Sequence, residues 1–527
     1  MFKNSLHKDS IPVSIVGQPS RRRVLVLGEC GFADPHCGVM LERAMRLHSS
    51  GCQVIFAYCD GCLDACRENP QGSGIVCAFC RITRKKFMRV LPKDIRLIPL
   101  HRTPFESSFT YSSLNELKAI RYRDAWIGYA ALSSYISATR NSRPDFLNPI
   151  VKQYFDHALR LAAGMADTCV NLIESEHIDE IHIFNGRLFD NRAFYDIAVA
   201  RGISFYSNEV IGSFRARTDF ECITYKNSLP HNLKVNYGMA EKLWDMDGVP
   251  MSEKQRLGTE FYEKRRNSQM AGDRVYTLNQ VNGLLPENFS RDKENIVIFN
   301  SSEDEFASIG KDFDDYQLFK NQTAGIQFLL KNLPADKYQI YVRIHPNLTR
   351  VKYDYVMELF ELPKKYENVT LIPPDSKVST YALMDAADKV VVFGSTMGAE
   401  ASYSGKPVIL VGPSFYYFLN VAYTPESEQE LIDLIKTKNL SVKPKVNALK
   451  FAYFLMERRR LAEPGKFFDF HLKPLRFMGT TFYVTAYCKL LGSCLLMKLL
   501  RILIVYGARR FGKWKLGSPI FDDHCHS

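Results

Sequence analysis

The sequence has 527 residues, which is enough for at least two domains of ordinary size. Its 46% hydrophobic and 24% charged residues are typical of a globular protein and exclude a largely disordered chain. The formal net charge of +12 favours an anionic partner. Nucleotides, acidic glycans, nucleic acid and anionic lipid all meet that condition, so charge alone does not choose among them.

The beginning of the chain carries no visible secretory signal. Residues 1–20 are polar, lack a long apolar segment and are expected to be disordered. The first apolar run, residues 24–28, is typical of a core strand. We therefore expect a cytoplasmic protein, in which the 13 cysteines stay reduced.

Short apolar strands alternate with helical segments from residue 21 onward. We expect strands at 24–27, 54–58, 180–184 and 203–206, and helices at 38–49, 115–140, 149–176 and 192–201. This alternation predicts a parallel sheet with helices on both faces. The first domain is assigned to residues 21–285, and its polar stretch at 251–274 is expected to link or cap it.

Five cysteines follow the second expected strand, within a Cys-rich insertion assigned to residues 58–90. Two Cys-x2-Cys pairs can supply four thiolates to a tetrahedral ion, which predicts a structural zinc held by Cys59, Cys62, Cys77 and Cys80. Cys66 can replace one of these ligands. An iron–sulfur cluster uses the same ligands, and unligated thiols are the remaining alternative.

A second alternation of strands and helices begins near residue 295 and defines a second domain over residues 290–450. We expect its strands at 295–300, 339–344, 369–373, 389–393 and 407–411, with helices at 318–332 and 426–437. The sequence thus predicts an α/β fold of two Rossmann-like, doubly wound domains that face a cleft. Residues 451–475 are expected to form return or linker helices.

The most informative segment of the second domain is the strand-loop-helix-strand unit at 389–411. Its buried apolar run stops at Gly394, and the hydroxyl residues Ser395 and Thr396 precede a short helix. Loops of this kind bind phosphate groups at the edge of a parallel sheet. Ser395 and Thr396 are therefore candidate phosphate-binding residues.

Arg343 and His345 come at the end of another expected strand, where Pro346 prevents further pairing. Their side chains are therefore expected at the carboxyl edge of the sheet, where open α/β sheets bind ligands. Arg343 can neutralise a phosphate and His345 can donate a hydrogen bond to it. The alternative is a histidine that closes a loop by bonding a backbone carbonyl.

These motifs resemble those of a known family. A His-Pro after a strand, a strand–Gly-Ser-Thr–helix unit with Glu400-Ala401, and Gly405-Lys406-Pro407-Val408 are similar to the donor domain of GT-B glycosyltransferases of bacterial capsule and surface-polysaccharide biosynthesis. In the first domain, Asn185-Gly186-Arg187 and Leu229-Pro230-His231 extend the resemblance.

The resemblance implies an enzyme that transfers a sugar from a nucleotide-activated donor to a surface polysaccharide or a lipid-linked glycan. Ser395 and Thr396 would contact phosphate, and Glu400 would face ribose or sugar hydroxyls. The alternative for Glu400 is a solvated helix residue. A GT-B enzyme stabilises the phosphate charge with helix termini and cations, so no catalytic metal is expected.

The acceptor hydroxyl needs a base, which should lie at strand ends of the first domain. Asp34 and His36 follow the first strand and Glu209 follows the strand at 203–206, so these three are the catalytic candidates. Each of them can instead be structural or can bind the acceptor through a hydrogen bond.

The end of the chain is rich in leucine and cations. Residues 476–515 contain eight Lys or Arg and no Asp or Glu. Cations interrupt the apolar run, so we expect a basic amphipathic helix that lies on the anionic inner-membrane surface, or else a helix pair packed on the first domain.

Two other functions share these features. A CDP-polyol phosphotransferase would use the same His-Pro and Ser-loop elements. A zinc-containing nucleic-acid-binding protein would use the net charge, but the chain carries no motif that reads nucleic acid, so no nucleic-acid partner is expected.

Overall fold

The computed structural model describes most of the chain. It covers residues 21–29, 36–63, 66, 69, 74–101, 103–211, 221–272, 275–349, 351, 353–462, 475–477 and 480–482.

A six-stranded sheet organises the first half of the chain. Its strands are β1 (Arg23–Leu27), β2 (Gln53–Cys59), β3 (Arg96–Leu100), β4 (Glu180–Phe184), β5 (Ser204–Ile211) and β6 (Glu221–Lys226). They lie in the order β3-β2-β1-β4-β5-β6, and all pairs are parallel except the last, in which β6 runs antiparallel to β5. This is the strand order of a Rossmann sheet.

The described residues of this half form eight helices. They are α1 (His36–Ser49), α2 (Gly74–Met88), α3 (Leu114–Ala119), α4 (Ile127–Thr139), α5 (Pro149–Glu176), α6 (Arg192–Ala200), α7 (Leu233–Asp245) and α8 (Met251–Arg266). The largest, α5, begins with Asn148 as its N-cap and Pro149 in its first turn, and its apolar stripe is buried against the first sheet.

A five-stranded parallel sheet organises the second half. Its strands are β7 (Glu294–Phe299), β8 (Tyr338–Arg343), β9 (Val369–Ile372), β10 (Lys389–Val392) and β11 (Val408–Leu410), in the order β11-β10-β7-β8-β9. The helices are α9 (Lys311–Asp314), α10 (Gln322–Asn332), α11 (Asp354–Phe360), α12 (Leu362–Lys365), α13 (Thr380–Ala386), α14 (Met397–Tyr403), α15 (Glu428–Lys436) and α16 (Lys445–Glu457).

Both sheets reverse direction at their first strand, which confirms the prediction of two doubly wound domains. In each sheet the chain moves outward from the first strand, returns, and continues on the other side, so the reversal lies between β1 and β4 and between β7 and β10. Ligands of such sheets bind beyond the carboxyl ends of the strands at this reversal. The fold therefore marks one position in each domain as the place for a site.

The helix expected over residues 115–140 is wrong as a single element, because the chain turns between α3 and α4. Arg123 adopts a left-handed backbone, and Tyr122 pairs with Ala125 in an isolated bridge. The turn is stabilised from outside, since Tyr122 and Arg123 both donate hydrogen bonds to the Asp167 carboxylate of α5. Those tertiary contacts override the helical periodicity.

The polar stretch at 251–274, expected to link or cap the first domain, forms α8 over Met251–Arg266, and α8 packs on α16. Phe261 and Tyr262 of α8 are buried in the same core as Val297 and Phe299 of β7. Residues expected in the first domain thus share the core of the second sheet. Likewise α16 begins at Lys445, inside the expected second domain, and its Tyr453 packs edge-on against Trp244.

The amphipathic helix expected from residue 476 is wrong in its first residues. There β12 (Leu475–Phe477) pairs antiparallel with β13 (Thr480–Phe482). Threonine and phenylalanine favour strands, which accounts for the hairpin. The rest of the expected tail, like residues 1–20, lies outside the described residues. Within the described residues, no helix combines the length and apolar character needed to cross a bilayer.

Candidate functional site

A cleft of about 450 Å³ lies at the carboxyl edge of the second sheet and is also lined by residues of the first domain. It sits at the reversal between β7 and β10, with Asn300 and Ser301 following β7 and Gly394 and Ser395 following β10. All five predicted donor-binding residues line it: Arg343, His345, Ser395, Thr396 and Glu400. These residues are up to 57 positions apart in the sequence and line one cleft, as the sequence pattern predicted.

Arg343, at the end of β8, is a buried cation with unused hydrogen-bonding capacity. Arg343 is only 4% exposed, and one of its nitrogens, Nη2, donates a hydrogen bond to the Ser376 carbonyl at 3.2 Å. The Nε and Nη1 atoms have no hydrogen-bond partner among the described residues. Burial lowers the pKa of Arg343 to about 10, against the charge of Asp375, so the group is still a cation at neutral pH. A buried guanidinium of this kind is suited to an anionic ligand.

His345 is oriented by the backbone that follows it. Its Nδ1 accepts a hydrogen bond from the Asn347 N–H at 3.2 Å, so the neutral ring carries its proton on Nε2. The His345 N–H donates to Asn300 Oδ1 at 2.7 Å, and the ring packs edge-on against Tyr276. His345 does close a loop, but its ring accepts a hydrogen bond from a backbone N–H. The alternative in the sequence analysis was a bond from the ring to a backbone carbonyl. In the neutral ring, Nε2 is therefore the donor nitrogen.

The Ser395-Thr396 loop is held close to the sheet by a glycine. Gly394 has a left-handed backbone (φ 75°), and a side chain there would come within 2.8 Å of the Pro413 carbonyl. Ser395 Oγ accepts a hydrogen bond from the Met397 N–H at 3.3 Å, while Thr396 makes no side-chain cap bond. Tyr416 donates to the Ser395 carbonyl at 2.5 Å and secures the turn.

Glu400 is a buried carboxylate, which excludes the solvated alternative. Its Oε1 accepts from Arg265 Nε at 2.9 Å, and its Oε2 accepts from the Tyr381 hydroxyl at 2.5 Å. Burial, together with the Glu400 charge, raises the pKa of Tyr381, so the phenol remains a donor. Glu400 thus has two protein partners in the cleft wall, and its contact with sugar hydroxyls stays a prediction.

Among the first-domain residues that line the cleft, Arg187 and His231 were not predicted as site residues. Arg187 follows β4 through a left-handed Asn185-Gly186 turn, and His231 follows Leu229-Pro230. Burial, aided by the Arg187 charge, lowers the pKa of His231 well below its usual value, so the ring is neutral. The two motifs that carried the first-domain resemblance contain these residues, and that was the signal that could have found them.

The predicted catalytic residues do not line this cleft in the described part of the chain. His36 opens α1 and stacks on Phe184, with ring centroids 3.9 Å apart. Glu209 lies on β5 and accepts a hydrogen bond from Asn185 Nδ2 at 2.7 Å. Asn185 in turn accepts a hydrogen bond from Arg187 Nε at 3.2 Å. Glu209 is therefore connected to the cleft by hydrogen bonds through Asn185 and Arg187. Asp34 lies outside the described residues, and all three roles stay predictions.

Burial raises the pKa of Glu209, opposed by the Asn185 hydrogen bond and by the Arg187 charge. A carboxyl group with a raised pKa is the kind of group that can exchange a proton near neutral pH. This environment is compatible with the predicted role of Glu209 and equally with a positioning role behind Arg187.

Arg140, at the C-terminus of α4, ties the first domain to the loop that carries His345. Its Nε donates to Asp304 at 2.8 Å, and its Nη1 donates to the Asn347 carbonyl at 3.1 Å. Asn347 is the residue whose N–H orients the His345 ring. Contact between the domains is thereby linked to the geometry of His345, the predicted donor-binding histidine.

A second cavity of about 350 Å³ adjoins the cleft. It lies between α3 of the first domain and the loops after β7 and β11, and it shares Ser301 and Phe306 with the cleft. Amide and aromatic side chains, among them Asn115, Gln322 and Phe319, line it. Such walls suit a sugar, which presents both hydroxyls and apolar faces.

Three of the four predicted zinc ligands, Cys59, Cys77 and Cys80, line a separate, smaller cavity in the first domain. The Sγ atoms of Cys59 and Cys62 are 4.0 Å apart. The hydrogen bond with Cys62 lowers the pKa of Cys59 to about 6, against the effect of burial. Among the described residues, no three or more His, Cys, Asp or Glu side chains are already arranged to hold a metal ion. Zinc binding therefore stays a prediction.

Comparison with known families assigns the second domain. Residues 287–441 match the family model described as "Capsule polysaccharide biosynthesis protein". The matched segment contains Arg343, His345, Ser395, Thr396 and Glu400, and it confirms the resemblance predicted for this domain. This segment is therefore similar to the capsule polysaccharide biosynthesis family. Comparison with curated proteins gives no significant match.

Solved structures overlap with larger parts of the chain at low similarity. A KpsC beta Kdo 2,4 transferase of Thermosulfurimonas dismutans has 13% identity and a TM-score of 0.31, covering 54% of this chain and 85% of its own. A KpsC beta Kdo 2,7 transferase of the same organism has 14% identity and a TM-score of 0.32, covering 63% and 90%. A UDP-GlcNAc 2-epimerase of Neisseria meningitidis has 9% identity and a TM-score of 0.23, covering 84% and 99%. These identities and TM-scores are too low to indicate an activity for this chain.

Proposed function

We propose that the protein is a GT-B glycosyltransferase of capsule polysaccharide biosynthesis. It would take a sugar from a nucleotide-activated donor and transfer it to a polysaccharide or lipid-linked acceptor. The proposal combines the family match of the second domain with the chemistry of the cleft. It needs no catalytic metal, because the cleft already contains cationic and hydrogen-bonding groups for a phosphate.

The observation that carries the proposal is Arg343. A guanidinium that is buried, charged and incompletely hydrogen-bonded costs folding free energy unless a ligand completes its hydrogen bonds. His345 and the hydroxyls of Ser395 and Thr396 line the same cleft and can bond the remaining phosphate oxygens. These groups together suit the phosphate of a nucleotide sugar.

Transfer would then proceed between the two domains. As the bond from the sugar to the phosphate oxygen breaks, Arg343 and His345 would stabilise the charge that develops on the leaving nucleotide. The acceptor would approach from the first-domain side, where neutral His231 and Arg187 line the cleft. The acceptor hydroxyl would lose its proton to one of the predicted bases, Asp34, His36 or Glu209.

The activity can be tested with the purified full-length chain and a panel of UDP-, CMP- and CDP-linked compounds. Nucleotide release that rises when a glycan acceptor is added is the expected result. His345→Ala and Thr396→Ala should each weaken nucleotide binding by calorimetry without unfolding the protein. His48→Ala is the matched control, because His48 is bonded to Asp94 outside the cleft.

Three outcomes would contradict this assignment. Unchanged nucleotide affinity in both cleft variants would remove the donor site. Transfer of a polyol phosphate from a CDP-linked donor, with release of CMP, would identify a phosphotransferase. Tight binding of the chain to nucleic acid without any donor turnover would favour the nucleic-acid alternative.

We also propose that residues 476–515 attach the enzyme to the anionic inner-membrane surface, on the strength of their cations and leucines alone. Each basic residue near such a surface adds about 1 kcal/mol. A chain truncated after residue 475 should therefore lose binding to anionic vesicles yet keep its nucleotide affinity. A full-length chain that ignores such vesicles would refute the attachment.

A further inference from the structure

Four of the five clustered cysteines surround one small cavity. Cys59, at the end of β2, Cys66, in the following loop, and Cys77 and Cys80, on the first two turns of α2, line a space of about 50 Å³. Cys77 and Cys80 are three residues apart on a helix, so their side chains share one face. Cys62 is not among the residues that line the cavity, although its sulfur lies 4.0 Å from that of Cys59.

Two N–H groups already point at these sulfur atoms. Asn69 Nδ2 lies 3.2 Å from Cys77 Sγ, and Arg84 Nη1 lies 3.8 Å from Cys80 Sγ. Asn69 is itself held by reciprocal backbone bonds with Cys66. Donors to sulfur stabilise the thiolate over the thiol, and metal-bound thiolates commonly carry such outer partners.

Arg84 places a buried cation at the cluster. It is 3% exposed and lines the cavity, and its Nε has no hydrogen-bond partner among the described residues. It forms an ion pair with Asp60 at 3.5 Å, but the Asp60 side chain is 52% exposed. Glu29 and Asp190 also line the cavity. A buried cation needs negative charge nearby, and thiolates in the cavity would supply part of it.

We propose that Cys59, Cys66, Cys77 and Cys80 bind one zinc ion as thiolates, with Arg84 as the counter-charge and Asn69 as an outer hydrogen-bond donor. Binding would release the protons that the four thiols still carry and leave a centre of net charge −2 next to the guanidinium. The sulfur atoms are not yet arranged to hold an ion. Each can swing about a single bond, χ1, so closure of the site requires rotamer changes in the cysteines.

This assignment replaces Cys62 of the initial ligand set with Cys66, and it gives the ion a structural role. The site would join the end of β2 to the start of α2. The cavity also contacts Asn191, which bonds the Phe184 carbonyl and the Leu188 N–H. Zinc would therefore stabilise the loop between β4 and α6, the loop that carries Arg187 into the cleft.

Elemental analysis of the purified full-length chain tests the proposal. We expect about one zinc per chain, since a site of four thiolates takes a single ion. Cys66→Ser and Cys77→Ser should lose it, and a chelator should lower the melting temperature of the wild type. Cys62→Ser is the matched control, because it alters a cysteine of the same cluster and should keep the metal. Arg84→Met should bind zinc more weakly in chelator competition.

The outcomes separate clearly even if a ligand variant does not fold. A wild-type chain without metal, whose melting temperature ignores the chelator, would overturn the site. Iron with visible absorption in place of zinc would overturn the metal. Loss of zinc from Cys62→Ser with retention in Cys66→Ser would overturn the ligand assignment. None of these readouts depends on transferase activity, so the proposal can fail while the proposed function stands.

Discussion

The two sheets share one strand order, but their carboxyl edges are built differently. At the edge of the second sheet, the charge is carried by Arg343, the last residue of β8, and by Glu400 of α14, which pairs with Arg265 of α8. At the edge of the first sheet, Arg187 and His231 enter the cleft from turns and loops, and Glu209 stands behind them. In the proposed site, the second domain would provide the anion-binding groups, and the first domain would provide groups whose positions depend on tertiary contacts.

Replacing the two buried arginines of the cleft, one at a time, is the strongest test of this difference between the two domains. Within the described residues, two nitrogens of Arg343 lack hydrogen-bond partners, whereas Arg265 is paired with Glu400. Arg343→Met should weaken binding of the nucleotide by about 1.5–3 kcal/mol, roughly 10- to 150-fold, because a charge-assisted hydrogen bond is lost. Calorimetry with CMP, UDP and CDP measures this loss. The free energy of unfolding should stay constant or rise, since a costly buried charge disappears.

Arg265→Met is the matched control and should lower the free energy of unfolding. It leaves the Glu400 carboxylate buried without its cation, which costs about 3–5 kcal/mol of stability when a buried pair is broken. Denaturant unfolding measures both variants. If Arg343→Met destabilises the chain as much as Arg265→Met, Arg343 is a structural residue and the anion site is misassigned.

The same contrast explains what could be predicted from sequence. The unit at 389–411 was foreseen because a fully buried apolar strand, a glycine and a short helix leave few alternatives, and β10, α14 and β11 fall within it. His345 was foreseen because Pro346 ends β8. These signals are local, and they act within a few residues.

The features that could not be predicted from the sequence depend on contacts between distant residues. The break between α3 and α4 is stabilised by Asp167, more than 40 positions away. The packing of α8 on α16 joins segments separated by nearly 200 residues. His231 becomes a cleft residue only because the first domain folds over the second sheet. None of these contacts leaves a periodic pattern in the sequence.

A smaller effect should follow from loosening the contact between the domains. Arg140→Gln removes the bonds to Asp304 and to the Asn347 carbonyl, so the loop that orients His345 loses support. Nucleotide affinity should fall by about 1 kcal/mol, the net value of one or two hydrogen bonds. Arg140→Lys should rescue only part of it, because lysine cannot make the planar contacts of a guanidinium.

Arg143→Gln tests whether the effect comes through His345 or through the interface as a whole. Arg143 also bridges the domains, to Glu303 at 3.1 Å and to Glu358 at 3.6 Å, but no contact with Asn347 is seen in the described residues. Calorimetry should show a smaller loss of affinity than in Arg140→Gln. Equal losses would mean that domain contact in general, and not the histidine loop, controls donor binding.

The smallest effect concerns Glu209 and depends on pH. Because burial raises its folded pKa above the unfolded value, its protonated form contributes stability that is fully present below the unfolded pKa. That contribution is lost as the pH rises through the folded pKa. Glu209→Gln mimics the protonated form and can still accept from Asn185. Its melting temperature should exceed that of the wild type at pH 7, and the difference should shrink towards pH 4.

Glu253→Gln is the control of opposite sign, since hydrogen bonding to Arg256 lowers the pKa of this exposed carboxyl group. It should give no gain in melting temperature at pH 7. Activity then decides the role of Glu209 itself. If Glu209→Gln is stabilised at pH 7 but loses transfer while keeping nucleotide affinity, Glu209 acts in proton transfer behind Arg187. If transfer is unchanged, the base must be sought at Asp34 or His36, and the first domain contributes through position alone.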